Sequence, residues 1–108
     1  MNGYGAGLIF LKGPGSEISK AIMHYVYLIR SEANDQLYIG YTTNIKRRIL
    51  EHNRGENQST KHYKPWKLIF AEIYIEEMDA KRREQYLKTN QGSRLLKRML
   101  KEYFYRHP

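Results

Sequence analysis

The sequence predicts a small α+β domain in which a three-stranded mixed sheet is flanked by helices, in the order ββαβαα. Segments rich in Tyr, Val and Ile occur beside segments whose apolar residues recur at helical spacing, and two strands are joined by a short turn-forming loop. The 108 residues, of which 41% are apolar, suffice for one modest core, so we expect a single domain.

The first 22 residues differ in composition from the rest of the chain. Five of the eight glycines fall within the first fifteen positions, and the Gly-Pro-Gly-Ser stretch at residues 13–16 interrupts regular secondary structure. Met23 stands immediately before the first well-patterned strand. We therefore expect a flexible N-terminal arm at residues 1–22, whether an alternative start, a fused remnant or a mobile leader, ahead of a domain at residues 23–108.

Residues 24–31 and 36–42 predict a β-hairpin. Both segments are rich in Tyr, Val and Ile, and the Glu-Ala-Asn-Asp sequence between them forms turns readily. Side chains alternate between the two faces of a strand, so Val26 and Leu28 are expected to face one core while Tyr27 faces the other side.

A helix that ends near Arg54 is expected next. Asn44 is a good N-cap, and Gly55 suits the left-handed conformation that ends many helices. Ile45 and Ile49 lie four residues apart and would form the buried stripe of this helix.

The rest of the chain predicts one further strand and two helices. A polar, basic loop at residues 56–64 precedes a nearly continuous apolar run at residues 68–75, which we expect to be the central strand of the sheet. Apolar residues at helical spacing follow at residues 79–90 and 93–104. Gly92 is expected to divide these two helices.

The chain is strongly basic, with nineteen Lys and Arg against eleven Asp and Glu, a formal charge of +8 and a pI near 9.7. Such a balance favours nucleic acid as the partner, with an anionic membrane as the rival and a merely solvated surface as the third interpretation. No apolar run approaches the roughly 18 residues of a membrane-spanning helix, so we expect a soluble, cytoplasmic protein. The absence of cysteine excludes disulfides and thiolate chemistry, so any metal would be held by oxygen or imidazole.

Arg48 and His52 are the first candidates for chemistry. Four positions separate them, so both stand on one face of the predicted helix. A guanidinium can clamp a phosphate through paired hydrogen bonds, and an imidazole can move a proton near neutral pH. A solvated helix face is the alternative interpretation. Tyr27 and Tyr38 on the hairpin carry hydroxyls as well, although strand tyrosines usually pack.

Glu84 is the acidic residue whose position is hardest to explain by folding alone. It lies between Ala80 and Leu87 on what should be the inward stripe of a helix, where a carboxylate is costly unless it is paired or binds a cation. Lys81 and Lys88 are close enough in sequence to pair with it. Magnesium is the other interpretation, because one or two carboxylates with waters and substrate phosphates suffice to hold it.

Taken in order, these residues resemble the signature of the GIY-YIG nuclease family. The matching elements are Tyr25-Val26-Tyr27, Tyr38-Ile39-Gly40, Arg48, His52 and Glu84. The first tripeptide differs from the family name at two positions and keeps its final tyrosine. The resemblance covers roughly residues 24–100. Within the family, the chain is similar to small stand-alone bacterial proteins that are related to the nuclease domain of the excinuclease C subunit.

This resemblance implies a metal-dependent endonuclease that hydrolyses phosphodiester bonds in DNA, with a preference for DNA structure or weak specificity, in DNA repair or recombination. A tyrosine would act as general base, Arg48 would neutralise charge at the phosphorus, and Glu84 would bind Mg²⁺ or Mn²⁺. Which tyrosine takes the proton stays open. The implied catalytic residues are Tyr27, Tyr38, Arg48, His52 and Glu84. The expected DNA-binding residues are Lys46, Arg47, Thr60, Lys61, His62 and Lys64, with further phosphate contacts from residues 81–83.

Two other functions fit the sequence. The asparagine that the family places in a late helix has no clear counterpart, because Asn90 lies too close to Glu84. This departure leaves a catalytically weak or inactive nucleic-acid-binding module, acting with a protein partner that supplies specificity, as the alternative. A basic C-terminal helix on a membrane surface is the other, with Leu95, Phe104 and Tyr105 as its few apolar contacts. We expect DNA rather than RNA as the partner, and no membrane.

Overall fold

The computed structural model describes residues 8–10 and 20–108, and it confirms the predicted α+β class with a three-stranded sheet. The strands are β1 (Leu8–Phe10), β2 (Lys20–Ile22), β3 (His24–Ser31), β4 (Leu37–Thr42) and β5 (Trp66–Tyr74). The helices are α1 (Ile45–Asn53), α2 (Glu77–Leu87), α3 (Asn90–Met99) and α4 (Lys101–Arg106), with a short 3₁₀ helix at Lys61–Tyr63.

The two N-terminal strands form a sheet of their own. β1 pairs with β2 in antiparallel fashion, with Leu8 opposite Ile22. Neither strand is predicted by the sequence pattern. The other residues of the expected arm, 1–7 and 11–19, lie outside the described residues, so the flexibility of the arm stays a prediction.

The predicted hairpin is confirmed as β3 and β4. The hydroxyl of Ser31 accepts hydrogen bonds from the backbone N–H groups of Ala33 at 3.0 Å and Asn34 at 3.1 Å. Asp35 adopts a positive φ of 64°, which Asp tolerates better than most residues. The turn fixes a register in which Tyr27 lies opposite Gly40.

β3, and not β5, is the central strand, and the sheet is antiparallel throughout instead of mixed. A strand–helix–strand sequence makes β4 and β5 run in the same direction, which is what suggests a mixed sheet. The strand β3 lies between them and is antiparallel to both, so the two parallel strands never become neighbours. The apolar run at residues 68–75 therefore belongs to an edge strand, which contacts α1 and α2.

The two faces of β3 are covered by separate cores. Tyr25, Tyr27 and Ile29 pack with Ile45 and Trp66 on the side of α1, and we call this side the tyrosine face. On the opposite side, which we call the aliphatic face, the core consists of Val26, Leu28, Ala80, Leu87 and Leu96, the last three from α2 and α3. The predicted alternation along β3 is confirmed, and burial on both faces explains why this strand is nearly uniformly apolar or aromatic.

The helices follow the expected pattern with two differences. The prediction for α1 is confirmed: the side chain of Asn44 accepts a hydrogen bond from the backbone N–H of Arg47, and Gly55 has a φ of 77°. The last predicted helix is divided at Leu100, whose φ and ψ of −105° and 32° are not helical. None of the described helices has both the length and the apolar character needed to cross a membrane.

Gly92 does not separate the last helices as predicted, since it lies within the first turn of α3. The break falls instead before Asn90, where the hydroxyl of Thr89 caps α3 by accepting a hydrogen bond from the Gly92 N–H at 3.1 Å. A Cβ atom at residue 92 would come within 2.0 Å of the Tyr86 carbonyl oxygen. Glycine is therefore needed here for the close approach of α3 to the end of α2.

Candidate active site

The site is centred on the hydroxyl of Tyr27, which β3 presents across the neighbouring strand. Tyr27 lies opposite Gly40 of β4 and is 1% exposed. A Cβ atom at residue 40 would lie 2.2 Å from the Tyr27 hydroxyl oxygen and 2.3 Å from Cζ. The glycine of the Tyr-Ile-Gly tripeptide thus leaves the space that the Tyr27 ring occupies.

Two side chains of α1 converge on this hydroxyl. The Tyr27 oxygen lies 2.8 Å from Nε2 of His52 and accepts a hydrogen bond from Nε of Arg48 at 3.3 Å. Arg48 and His52 stand one turn apart on the same face of the helix, as their spacing predicts. The structure therefore brings together three of the five residues expected to be catalytic.

His52 is completely buried and held from both ring nitrogens. Its Nδ1 lies 2.7 Å from Oγ1 of Thr60, which is also 0% exposed. The buried Tyr27 hydroxyl needs an acceptor, and Nε2 provides it when the imidazole is neutral and protonated at Nδ1. In that tautomer the Nδ1–H group donates to Thr60. The resulting chain of hydrogen bonds runs from Arg48 through Tyr27 and His52 to Thr60.

The loop after α1 is pinned so that Thr60 reaches His52. The carbonyl oxygen of Thr60 accepts a hydrogen bond from Nε1 of Trp66 at 2.9 Å. The side-chain oxygen of Asn53 accepts from the Trp66 backbone N–H at 2.5 Å, and its amide donates to the Trp66 carbonyl at 3.1 Å. These contacts join the end of α1 to the start of β5 and fix the intervening residues.

The protonation states at this centre follow from burial. Burial, opposed in part by Arg48, raises the pKa of Tyr27 to about 12, and the charge of Glu84 adds to the increase. Burial and the neighbouring Arg48 charge lower the pKa of His52 to about 4. Without substrate, the proton therefore resides on Tyr27 and His52 is neutral. Burial opposes the charge of Arg48, but its hydrogen bonds to Glu51 and Tyr27 raise its pKa.

Arg48 also belongs to a small ion-pair group on the surface of α1. Its Nη1 lies 2.9 Å from Oε1 of Glu51, whose other oxygen lies 3.4 Å from Nε of Arg47. Arg48 is half-buried and Arg47 is exposed. Of Arg47, Arg48 and Glu51, Arg48 is the one that also contacts the buried Tyr27 hydroxyl. Its side chain could therefore connect a phosphate at the surface to the buried tyrosine.

Tyr38 contributes its ring to the site. The ring centroid lies 5.3 Å from that of His52 and 6.3 Å from that of Trp66, and both contacts are edge-on. Tyr38 is half-buried and lies at the edge of the tyrosine face. The two tyrosines therefore contact the site differently. The hydroxyl of Tyr27 belongs to the hydrogen-bond chain, whereas the ring of Tyr38 packs edge-on against His52.

Glu84 is mostly buried and forms an ion pair with Lys88. Its side chain is 16% exposed, and its Oε2 lies 3.1 Å from Nζ of Lys88. Lys81, the other expected partner, pairs with Glu77 at 3.6 Å instead. The carboxylate of Glu84 is close enough to Tyr27 to act on its pKa. The less well placed acids are engaged elsewhere, Glu72 with Arg83 and Asp79 with Arg82.

A hard divalent cation fits this arrangement through a single protein carboxylate. Among residues 8–10 and 20–108 there is no group of three or more His, Asp or Glu side chains that could hold a metal ion. Glu84 is the carboxylate that would bind it, which suits Mg²⁺ because one or two carboxylates suffice when waters and substrate phosphate oxygens complete its shell. The lysine that now neutralises Glu84 is half-exposed at 46%, so it can move away.

The expected DNA-binding residues separate into two groups. Thr60 was expected to contact DNA, and this expectation is wrong because the residue is buried beneath the loop and bound to His52. The others lie at the surface, and their contacts with DNA stay a prediction; they are Lys46, Arg47, Lys61, His62 and Lys64. Residues 81–83 are a weaker source of phosphate contacts than expected, since each is already paired with an acid.

Two features of the site are not anticipated by sequence reasoning. The role of Thr60 depends on the path of an irregular loop, and no periodicity connects it to His52. The role of Gly40 could have been found, because a glycine inside a strand often marks the close approach of another group.

Comparisons with known proteins show what the chain is similar to. The GIY-YIG catalytic domain matches residues 23–98. Over 75 residues the chain is 40% identical to a UPF0213 protein of Staphylococcus haemolyticus, which covers 68% of this chain and 90% of that protein. It is also 40% identical over 67 residues to a UPF0213 protein of Natronomonas pharaonis, covering 61% and 78% of the two chains. The solution NMR structure of a UPF0213 protein from Bacillus halodurans is 27% identical, covers 72% of this chain and 85% of that chain, and has a TM-score of 0.47.

Proposed function

The chain belongs to the GIY-YIG nuclease family, and from this premise we propose that it is a divalent-metal-dependent endonuclease that hydrolyses phosphodiester bonds in DNA. The observation that carries the proposal is the buried Tyr27 hydroxyl held between Arg48 and His52. A packing tyrosine needs neither a guanidinium nor an imidazole. A general base needs both a way to stabilise negative charge and a place to send its proton.

The proposed proton path runs from water through Tyr27 to His52. As a water molecule attacks phosphorus, its proton goes to the Tyr27 oxygen while the Tyr27 proton moves to Nε2 of His52. The imidazolium that results keeps its Nδ1–H bond to Thr60. This relay avoids a free phenolate, which is unfavourable for a group whose pKa is about 12. Thr60 is thus a positioning residue that sets the tautomer of His52.

Arg48 links the phosphate to this relay. Its guanidinium covers the Tyr27 hydroxyl in the free protein, and its side chain is 28% exposed. Engagement of a phosphate would draw the guanidinium outward, uncover the hydroxyl and neutralise the charge that develops on the phosphoryl oxygens. Substrate binding and access of water to Tyr27 would then be coupled in one side chain.

Glu84 is the residue that would hold the metal. When bound, Mg²⁺ or Mn²⁺ supplies Lewis-acid stabilisation of the leaving oxygen. The contribution of the protein is a mostly buried carboxylate whose charge acts on Tyr27, with half-exposed Lys88 as its counter-ion. The pairing with Lys88 keeps the buried charge neutralised in the free protein.

A cleavage panel tests this function. Duplex, single-stranded, flapped and branched DNA, and an RNA of the same sequence, are incubated with wild-type protein in Mg²⁺, Mn²⁺ or EDTA. We expect DNA to be cleaved only when the metal is present. A preference for flapped or branched DNA would favour a role in repair or recombination, and equal cleavage of all forms would favour general degradation. Glu84→Gln, with the same volume, is expected to abolish it and keep the thermal unfolding midpoint. Equal cleavage by wild type and Glu84→Gln would identify a contaminating nuclease and refute the site.

The alternative of a binding module without activity gives a distinct result in the same panel. The absence of a late-helix counterpart to the family's asparagine is the observation that favours it, since Asn90 is exposed at the start of α3. Salt-sensitive binding to DNA with no turnover in either metal would establish this alternative.

A further inference from the structure

Apart from Lys67 and Arg106, the exposed cations that have no ion pair within residues 21–108 form two groups. Most cations of α2 and several of α1 are neutralised by acids of the same helix or of a neighbouring strand. Four exposed cations near the C-terminal end of the fold have no ion pair within the part of the chain that the structure describes; they are Arg94, Lys97, Arg98 and Lys101. Exposed Lys46, Arg54 and Lys64 near the site are the other such group.

The four C-terminal cations form one stripe. Spacings of three and four residues from Arg94 place Lys97 and Arg98 on its side of α3, and Lys101 follows directly after the break at Leu100, at the start of α4. The opposite side of α3 carries Gly92 and Leu96, which are buried against α2 and the aliphatic core. The stripe therefore points away from the protein, and we call it the α3 stripe.

The α3 stripe and the group of Tyr27, Arg48 and His52 lie on opposite sides of the sheet. Tyr27, Arg48 and His52 belong to the tyrosine face, which α1 covers, whereas α3 packs on the aliphatic face through Leu96. The cations of the α3 stripe therefore face away from the phosphate that Arg48 would hold. They would contact phosphates of the same nucleic acid at a distance from the cleaved bond.

We propose that the α3 stripe is a second nucleic-acid-binding surface, which holds backbone phosphates outside the segment that is cleaved. Three cations on one face of α3 and a fourth at the start of α4, with no ion pair among the described residues, match the repeating charge of a phosphate backbone, and their binding would release condensed counterions. The inference rests on the proposed function for its ligand. It adds a surface on the far side of the sheet, to which the predicted contacts of α1 and the basic loop do not extend.

A membrane surface is the rival ligand for a basic helix, and the packing of α3 argues against it. Membrane-bound helices need an exposed apolar side next to the basic one. Here Leu96 is buried and Leu95 and Leu100 are half-buried, so the fold uses most of the apolar side of α3 and leaves Met99 44% exposed. Phe104 packs against Tyr103, with ring centroids 5.2 Å apart, and Tyr105, at 81%, is the most exposed apolar contact that remains.

The test measures binding separately from cleavage. Glu84→Gln protein in EDTA is titrated with a 40-base-pair DNA and with a 10-base-pair DNA at several salt concentrations. In this background, the α3 variant is compared with a matched control that also loses four charges. The α3 variant carries Arg94→Gln, Lys97→Gln, Arg98→Gln and Lys101→Gln. The control carries Lys67→Glu and Arg106→Glu, two exposed positions outside both surfaces, and these charge reversals lower the net charge by the same four units. Thermal unfolding of both variants checks that each is folded.

We expect the α3 variant to bind the long DNA on the order of 100-fold more weakly at low salt, with the slope of log affinity against log salt smaller by about 3. The control should lose less than about tenfold, and the short DNA should show little difference between the two variants. Equal losses for both variants would overturn the proposal, since only overall charge would then matter. Loss of binding to vesicles of anionic phospholipid, with DNA binding unchanged, would assign the stripe to a membrane instead.

The outcome for this surface is independent of the outcome for the cleavage site. If DNA binding depends on the α3 stripe but no substrate is cut in Mg²⁺ or Mn²⁺, the nuclease function fails and the surface stands. If wild-type protein cleaves DNA and the α3 variant binds it with the wild-type salt slope, the surface fails and the nuclease function stands.

Discussion

The two faces of β3 use the same strand for opposite purposes. On the aliphatic face, Val26 and Leu28 bury apolar groups against α2 and α3, with no polar atom to satisfy. On the tyrosine face, Tyr27 brings a hydroxyl into an equally buried environment, where it is satisfied by Arg48 and His52. Burial stabilises the first face directly, while on the second it also shifts the pKa values of two groups away from their ordinary range.

This difference indicates how a small domain can support a reactive centre. Unpaired polar groups inside a protein are costly, so the tyrosine face must complete its hydrogen bonds with residues from a helix and a loop. The aliphatic face has no such requirement and can carry most of the stability. Substitutions on the two faces should therefore separate activity from stability.

The largest expected effect is on the tyrosine face, from Arg48→Ala. Removal of the group that contacts Tyr27 and would hold the phosphate should lower the single-turnover cleavage rate by about 10²- to 10³-fold. Arg47→Ala is the matched control, because Arg47 is the preceding residue and pairs with the same Glu51. With protein in saturating excess over DNA, its rate should stay within about threefold of wild type, because a lost DNA contact then lowers affinity and not the rate of the bound complex. Equal rates for the two variants would remove Arg48 from the site.

The next effect is on the aliphatic face, where Leu96→Ala should lower the free energy of unfolding by about 3 kcal/mol. Leu96 is 3% exposed and packs in the aliphatic core, so the substitution leaves a cavity between α3 and the sheet. Urea denaturation measures the loss. Cleavage by the folded fraction at low temperature should keep the wild-type rate, and a parallel fall in rate would show that the two faces are not separable.

On the tyrosine face, a pH-dependent loss of stability should arise from His52. The pKa of His52 is about 4 in the folded protein and 6.5 ordinarily, so between these values the unfolded chain binds a proton that the folded protein does not. This contribution to stability is complete above pH 6.5 and is lost as the pH falls towards 4, by at most about 3 kcal/mol. Urea denaturation of wild type and His52→Gln at pH 7.5 and 4.5 measures it. Identical pH dependence in the two proteins would place the pKa of His52 near its ordinary value.

The smallest expected effect tests the positioning role of Thr60. Thr60→Val keeps the shape but removes the acceptor for Nδ1–H, and we expect a loss of about tenfold in cleavage rate. Thr60→Ser, which restores a hydroxyl, should recover most of the rate. The ¹⁵N shifts of His52 provide a second readout, because Thr60→Val should mix the two neutral tautomers. Wild-type ¹⁵N shifts in that variant would leave Thr60 with a packing role only.

The sequence predicts the hairpin, α1 and the convergence of Arg48 with His52, because local periodicity and caps determine them. It does not reveal that β5 lies at the edge of the sheet and that β3 lies at the centre, since the order of strands depends on long-range pairing. Thr60 is misassigned as a surface residue for a similar reason. Its burial depends on the contacts of Trp66 with Asn53 and with Thr60 itself, which no periodicity in the irregular loop encodes.

The most direct test is the comparison of Tyr27→Phe with Tyr38→Phe in single-turnover cleavage of the preferred DNA with Mg²⁺. Both substitutions remove one oxygen and keep a ring on the tyrosine face. Because the hydroxyl of Tyr27 is the one held by Arg48 and His52, Tyr27→Phe should be slower than wild type by about 100-fold or more, with Tyr38→Phe within about tenfold. A Tyr27→Phe protein that cleaves at the wild-type rate would contradict the assignment of Tyr27 as the proton acceptor.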